Sequence, residues 1–150
     1  MILNRQRGIS IPSASLSRFL SRIRSELKLG RRDVTICFVK EAEMAELNQT
    51  FRGKPKATDV LSFPAYSAEE DGAKRKVARD LRHAANYLGD IAISPTVARA
   101  NARRYGRDLD DELRILMVHG VLHLLGYDHE ADHGEMDRVE ARVRRRLGLA

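Results

Sequence analysis

The chain has 150 residues, 43% of them hydrophobic, and carries a net charge of +6 from 27 basic and 21 acidic residues. That length fits one domain, 1–150, with a core that needs no disulfide framework, and the single cysteine, Cys37, excludes an intrachain disulfide. The opening Met1-Ile2-Leu3-Asn4-Arg5 lacks an apolar signal region, and no segment approaches the roughly 18 apolar residues of a membrane helix, so the expectation is a soluble cytoplasmic protein with no membrane partner.

Excess Lys and Arg attract polyanions by displacing the counterions condensed on phosphates, which makes nucleic acid a candidate partner. Arginines cluster at Arg99, Arg103, Arg104 and Arg107 and again at Arg142, Arg144, Arg145 and Arg146. Each cluster taken singly reads as a solvated helix face.

In chain order, Ile2 to Ile11 alternates loosely and stops at Pro12, as a first strand does. Ser13 to Ser17 offers capping hydroxyls, Leu16, Phe19, Leu20, Ile23 and Leu27 follow at helical spacing, and Gly30 is the natural stop. Asp33 to Lys40 is a β-rich run, and Glu41 to Phe51 reads as a helix with Met44, Leu47 and Phe51 on one side. Lys54-Pro55-Lys56 is a loop before a short apolar strand, Val60 to Phe63. Ala65 to Arg82 is polar and reads as an exposed excursion. Leu88 to Ile93 is a further strand, and Ser94-Pro95 starts a helix that Gly106 ends. Asp108 to Asp111 opens the next helix, lasting to Leu125, and a final helix spans Glu135 to Leu147. Interleaved strands and helices predict an α/β or α+β domain: a mixed sheet of about four strands packed with about five helices.

The chemistry concentrates in Met117 to His129. His119 and His123 are four residues apart, so on a helix they share a face with Cβ atoms about 6 Å apart. The surrounding residues are apolar almost all round, which marks a buried central helix whose imidazoles need partners. Gly126 turns the chain and brings His129 within reach of the same face. Three imidazoles so placed suit Zn²⁺ with a fourth position left for water, the arrangement of catalytic rather than structural zinc. His133, four residues beyond His129, is a possible fourth ligand, with Asp128 and Asp132 as further candidates; the polar stretch Asp128 to Glu135 favours an open site. Three neutral ligands leave the full +2 charge on the ion, which lowers the pKa of bound water and draws in an anionic substrate such as a phosphodiester.

His119 to His129 matches H-G-x-L-H-L-x-G-Y-D-H at every specified position. With Asn48 to Gly53, Thr58 to Pro64 and Leu88 to Ser94, it resembles the YbeY family of bacterial rRNA maturation endoribonucleases. The resemblance runs from about residue 34 onward. It implies a zinc-dependent, single-strand-directed endoribonuclease acting on small-subunit (16S) rRNA and in ribosome quality control, with ribosome-associated partners. It further implies His119, His123 and His129 as zinc ligands and Arg52 as a catalytic residue. A guanidinium beside a metal can hold a scissile phosphate bidentately, although an ion pair with Asp59 is the plain alternative for Arg52. Asp59 and Asp128 read as turn or cap residues, with Asp128 a candidate support for a ligand histidine, and His83 reads as exposed and inert.

In H-E-x-x-H metalloproteases a glutamate follows the first ligand, whereas Gly120 stands there in this chain. That argues against peptide hydrolysis and leaves the general base unassigned. Two other readings stay open: another zinc hydrolase, and an RNA- or ribosome-binding maturation factor whose zinc holds the fold.

Overall fold

Period-two alternation in Asp33–Phe38 (β2) sends Val34, Ile36 and Phe38 to one side of a sheet and leaves Thr35 and Cys37 half-buried on the other. A computed structural model, which describes residues 1–65 and 86–149, sets β2 between two parallel neighbours, Ile2–Asn4 (β1) and Tyr87–Ile93 (β4). Val60–Pro64 (β3) joins β4 antiparallel, so the four-stranded sheet runs β1-β2-β4-β3 and is mixed, as expected. From residue 66 onward the expected excursion lies outside the described residues, as does His83.

Five helices among the described residues cover the sheet: Ser13–Glu26 (α1), Glu41–Arg52 (α2), Pro95–Tyr105 (α3), Leu109–Leu124 (α4) and Glu135–Arg146 (α5). Val34, Ile36, Phe38, Ile91 and Ile93 pack with Leu16, Phe19, Leu20 and Ile23 of α1, with most of α4, and with Met136 and Val143 of α5. On the opposite face Met44 of α2 meets Val39, Leu61 and Ala92 in a smaller cluster. Helix α4 is therefore central, and no apolar stripe distinguishes one side of it because nearly all sides are covered. No helix among the described residues is long and apolar enough to cross a membrane.

Several boundaries depart from the sequence reading. β1 ends at Asn4 rather than continuing to Ile11, because the buried Gln6 side chain folds the chain around itself. Its Nε2 donates to Asn4 Oδ1 (2.8 Å) and Ile9 O (2.9 Å), while its Oε1 accepts from Ile9 N (3.0 Å). No serine caps α1; Pro12 occupies the cap position without a side-chain bond. That helix also stops before Gly30, since Lys28 turns left-handed (φ +54°) and returns Leu29 to the core. Ser94 does cap α3, accepting from Val97 N at 3.3 Å, with Pro95 in the first turn.

The approach of α4 to β4 depends on Gly120. A Cβ there would lie 2.8 Å from Ile91 Cγ2, closer than real contacts allow. Ser62 Oγ of β3 donates to the Gly120 carbonyl at 3.0 Å, tying the edge strand to the same point of the helix.

Candidate metal centre

The C-terminal half of α4 presents His119 and His123 on one face, as their spacing dictates. After it the chain reverses: Gly126 takes φ +97° and its N–H bonds His123 O (3.0 Å), while Tyr127 N bonds Leu122 O (3.1 Å). This reversal swings His129 back over the helix end. One ring nitrogen from each of the three histidines then lies within 4.8 Å of the others, the one such donor group among the described residues. His119 Nε2 and His123 Nε2 stand 3.0 Å apart.

That spacing has a chemical meaning. His119 Nδ1 lies 3.2 Å from Glu140 Oε1 on α5, and an ionised carboxylate can accept but not donate. Nδ1 therefore carries the proton and Nε2 of the neutral ring offers a lone pair toward His123. Tetrahedral ligands at Zn–N distances of 2.0–2.1 Å sit about 3.4 Å apart, close to what the pair already shows. The donor set thus fits a borderline divalent ion, and Cys37 on β2 contributes no thiolate to it.

The two helical imidazoles are pushed in opposite directions. The hydrogen bond to Glu140 raises the His119 pKa above its ordinary 6.5 against the opposing effect of burial, helped by the charges of Glu140, Asp59 and Asp137. Burial lowers that of His123, reinforced by the neighbouring His119 and His129. The lowered pKa of His123 favours the neutral ring that a metal ligand requires, whereas the raised pKa of His119 favours its charged form, so an ion there competes with a proton for Nε2.

The triad opens into a cleft of about 670 Å³ whose walls include Arg52, Asp59, Ser62, Pro64 and Asp128. Arg52, expected from the resemblance, thus faces the same cavity from the C-terminal end of α2, and no ion pair joins it to Asp59 among the described residues. Asp59 instead accepts from Asn101 Nδ2 at 3.1 Å, and its carbonyl takes Ser94 N at 2.9 Å. Asp128 closes a turn, accepting from Glu130 N at 3.0 Å, as its position beside Gly126 suggests. His133 is exposed and stays outside the donor group, as does Asp132, which accepts from Gly134 N and Met136 N (both 2.9 Å) at the entry to α5. Position 120 admits no side chain against Ile91, so the glutamate of H-E-x-x-H has no room at this helix–sheet contact.

Glu140 is the site residue that the sequence reading missed. A signal existed: Met136, Glu140, Val143 and Leu147 follow helical spacing, and Glu140 is the one acid on that inward-facing row.

Comparison with known proteins places these features in a family. The family described as Endoribonuclease YbeY matches residues 1–148. An Endoribonuclease YbeY of Koribacter versatilis is 42% identical over 149 residues, covering 99% of this chain and 86% of its own. One from Solibacter usitatus is 42% identical over 135 residues, covering 90% and 79% respectively. The solution structure of TM1509 from Thermotoga maritima superposes with a TM-score of 0.61 at 30% identity, covering 98% of this chain and 89% of that one. With a family match across nearly all its length and relatives of this identity, the chain belongs to the YbeY endoribonuclease family.

Proposed function

We propose that this chain is a zinc-dependent endoribonuclease that cuts single-stranded RNA during maturation of the small-subunit rRNA. Ribosome quality control, contact with ribosome-associated proteins and a cytoplasmic location belong to the same reading. The observation that carries it is the shared cleft: three convergent imidazoles on one side and, on the other, the guanidinium of Arg52, which has no ion pair among the described residues.

His119, His123 and His129 hold the ion. Bound Zn²⁺ supplies Lewis acidity toward a phosphodiester oxygen and a net positive charge that attracts the substrate. Glu140 holds the His119 proton at Nδ1 and so keeps Nε2 available. Arg52 grips the scissile phosphate through two N–H donors and stabilises the charge that builds on it. The five-donor planar fork makes lysine an incomplete substitute.

Cleavage of a small-subunit rRNA fragment tests the reading. Arg52→Ala should lower kcat by about 10²–10³, the usual loss when one transition-state donor is removed, with Arg52→Lys recovering part of it. Wild-type protein should cut single strands well and the matching duplex poorly. Undiminished cleavage by Arg52→Ala, or equal cleavage of duplex, would overturn this assignment.

A further inference from the structure

Beside the metal cleft, residues 51–56 (Phe-Arg-Gly-Lys-Pro-Lys) form an exposed strip with three cations and no acid. None of Arg52, Lys54 and Lys56 takes part in an ion pair among the described residues. Phe51 is 63% exposed, an unusual state for a phenylalanine ending a helix that packs on a sheet. Its ring meets Phe63 edge-on, with centroids 5.0 Å apart and planes at 69°. Phe63 lies between Ser62 and Pro64, which both line the cleft, and Phe51 directly precedes Arg52, which lines it too. The exposed Tyr105 carries the Arg107 guanidinium over its face at 5.2 Å; Phe51 has no such cover among the described residues.

The strip is also held in shape. Gly53 adopts φ +69° and closes α2, bonding Gln49 O at 3.0 Å, while Lys54 N reaches Asn48 O at 3.3 Å. The buried Asn48 amide donates to Lys56 O at 2.6 Å, fixing the far end of the loop to the helix. An exposed aromatic ring, three cations without ion pairs among the described residues and an anchored backbone are what a single-stranded nucleic-acid subsite needs: bases stack on the ring while the chain's phosphates follow the positive charges.

We infer that Phe51, Lys54 and Lys56 form an RNA-binding subsite beside the metal cleft, with Phe51 stacking one nucleobase next to the phosphate held by Arg52 and the lysines contacting the phosphates that follow. This rests on the proposed action on single-stranded RNA and adds the residues that seat the strand.

The test uses zinc-loaded protein and a short, nuclease-resistant 2′-O-methylated single-stranded RNA, followed by anisotropy across a salt series. Phe51→Ala should weaken binding by about 5- to 150-fold, the range for losing one stacked base, with the salt dependence unchanged. Lys54→Ala/Lys56→Ala should flatten the slope of log Kd against log salt by about 1.4, the value for two phosphate contacts on a single strand. The chain has no tryptophan, so Phe51→Trp supplies a lone indole whose emission should be quenched when the RNA binds. Wild-type binding with Phe51→Ala within twofold of it and the indole unmoved overturns the subsite alone. If the wild type binds no RNA under these conditions, the RNA reading beneath it fails as well.

Discussion

A ligand histidine is useful to a metal only while its free nitrogen points the right way, and at His119 that depends on a residue from another helix. Glu140 Oε1 sits 3.2 Å from Nδ1, so the carboxylate fixes both tautomer and ring angle. Removing such an outer partner typically costs 10–100-fold in metal affinity. Glu140→Ala should therefore raise the zinc Kd by about 10- to 100-fold, measured by competition with a chromophoric chelator. Glu140→Gln, whose amide oxygen can still accept from Nδ1, should recover part of the loss. An unchanged Kd in Glu140→Ala would show that the contact does not hold the ligand. The convergence of the three histidines was legible because helical spacing and one glycine turn are local facts. Glu140 was not read, since it lies 21 residues from its partner and pairs with it only through the packing of α5 on α4. Arg52 stood between: only the family resemblance singled it out, since its residue type alone fits an ordinary loop arginine, and the meeting of α2 with β3 puts it on the cleft wall.

At the level of elements, the site depends on how closely α4 lies on β4. Gly120 permits the contact, and Ser62 fastens β3 to it. Gly120→Ala would ordinarily favour a helix, yet here the added methyl meets Ile91 at 2.8 Å. Overpacking of this kind costs about 1–3 kcal/mol, so the melting temperature should fall despite the better helix propensity. A variant as stable as the wild type would show that helix and sheet can separate without cost. Most elements followed from their own residues: β2 from strict alternation, α3 from Ser94-Pro95 and Gly106, α4 from its continuous apolar run. Errors fell where a side chain competed with the backbone pattern. Gln6 broke off the strand expected to reach Ile11, and the burial of Leu29 ended α1 before Gly30. Strand order could not be read either, because pairing β4 between β2 and β3 joins segments far apart in the chain.

Across the whole molecule, the cleft is a product of topology. The antiparallel edge strand β3, the end of α4 and the Gly126 reversal each contribute a wall, and α2 delivers Arg52 and the cationic strip from the other face of the sheet. The net charge of +6 adds a long-range attraction for polyanions. Charge made nucleic acid a candidate partner and the histidines pointed to a metal; three imidazoles and Arg52 share one cavity, which supports the proposed metal-assisted RNA cleavage. The most direct test is cleavage of a single-stranded rRNA fragment by metal-stripped protein, with and without one equivalent of Zn²⁺, beside His123→Ala. Activity restored by zinc in the wild type and absent from His123→Ala is the expected result. Zinc-loaded wild-type protein that binds the RNA but leaves it intact, or a His123→Ala variant that cuts as well as the wild type, would contradict it.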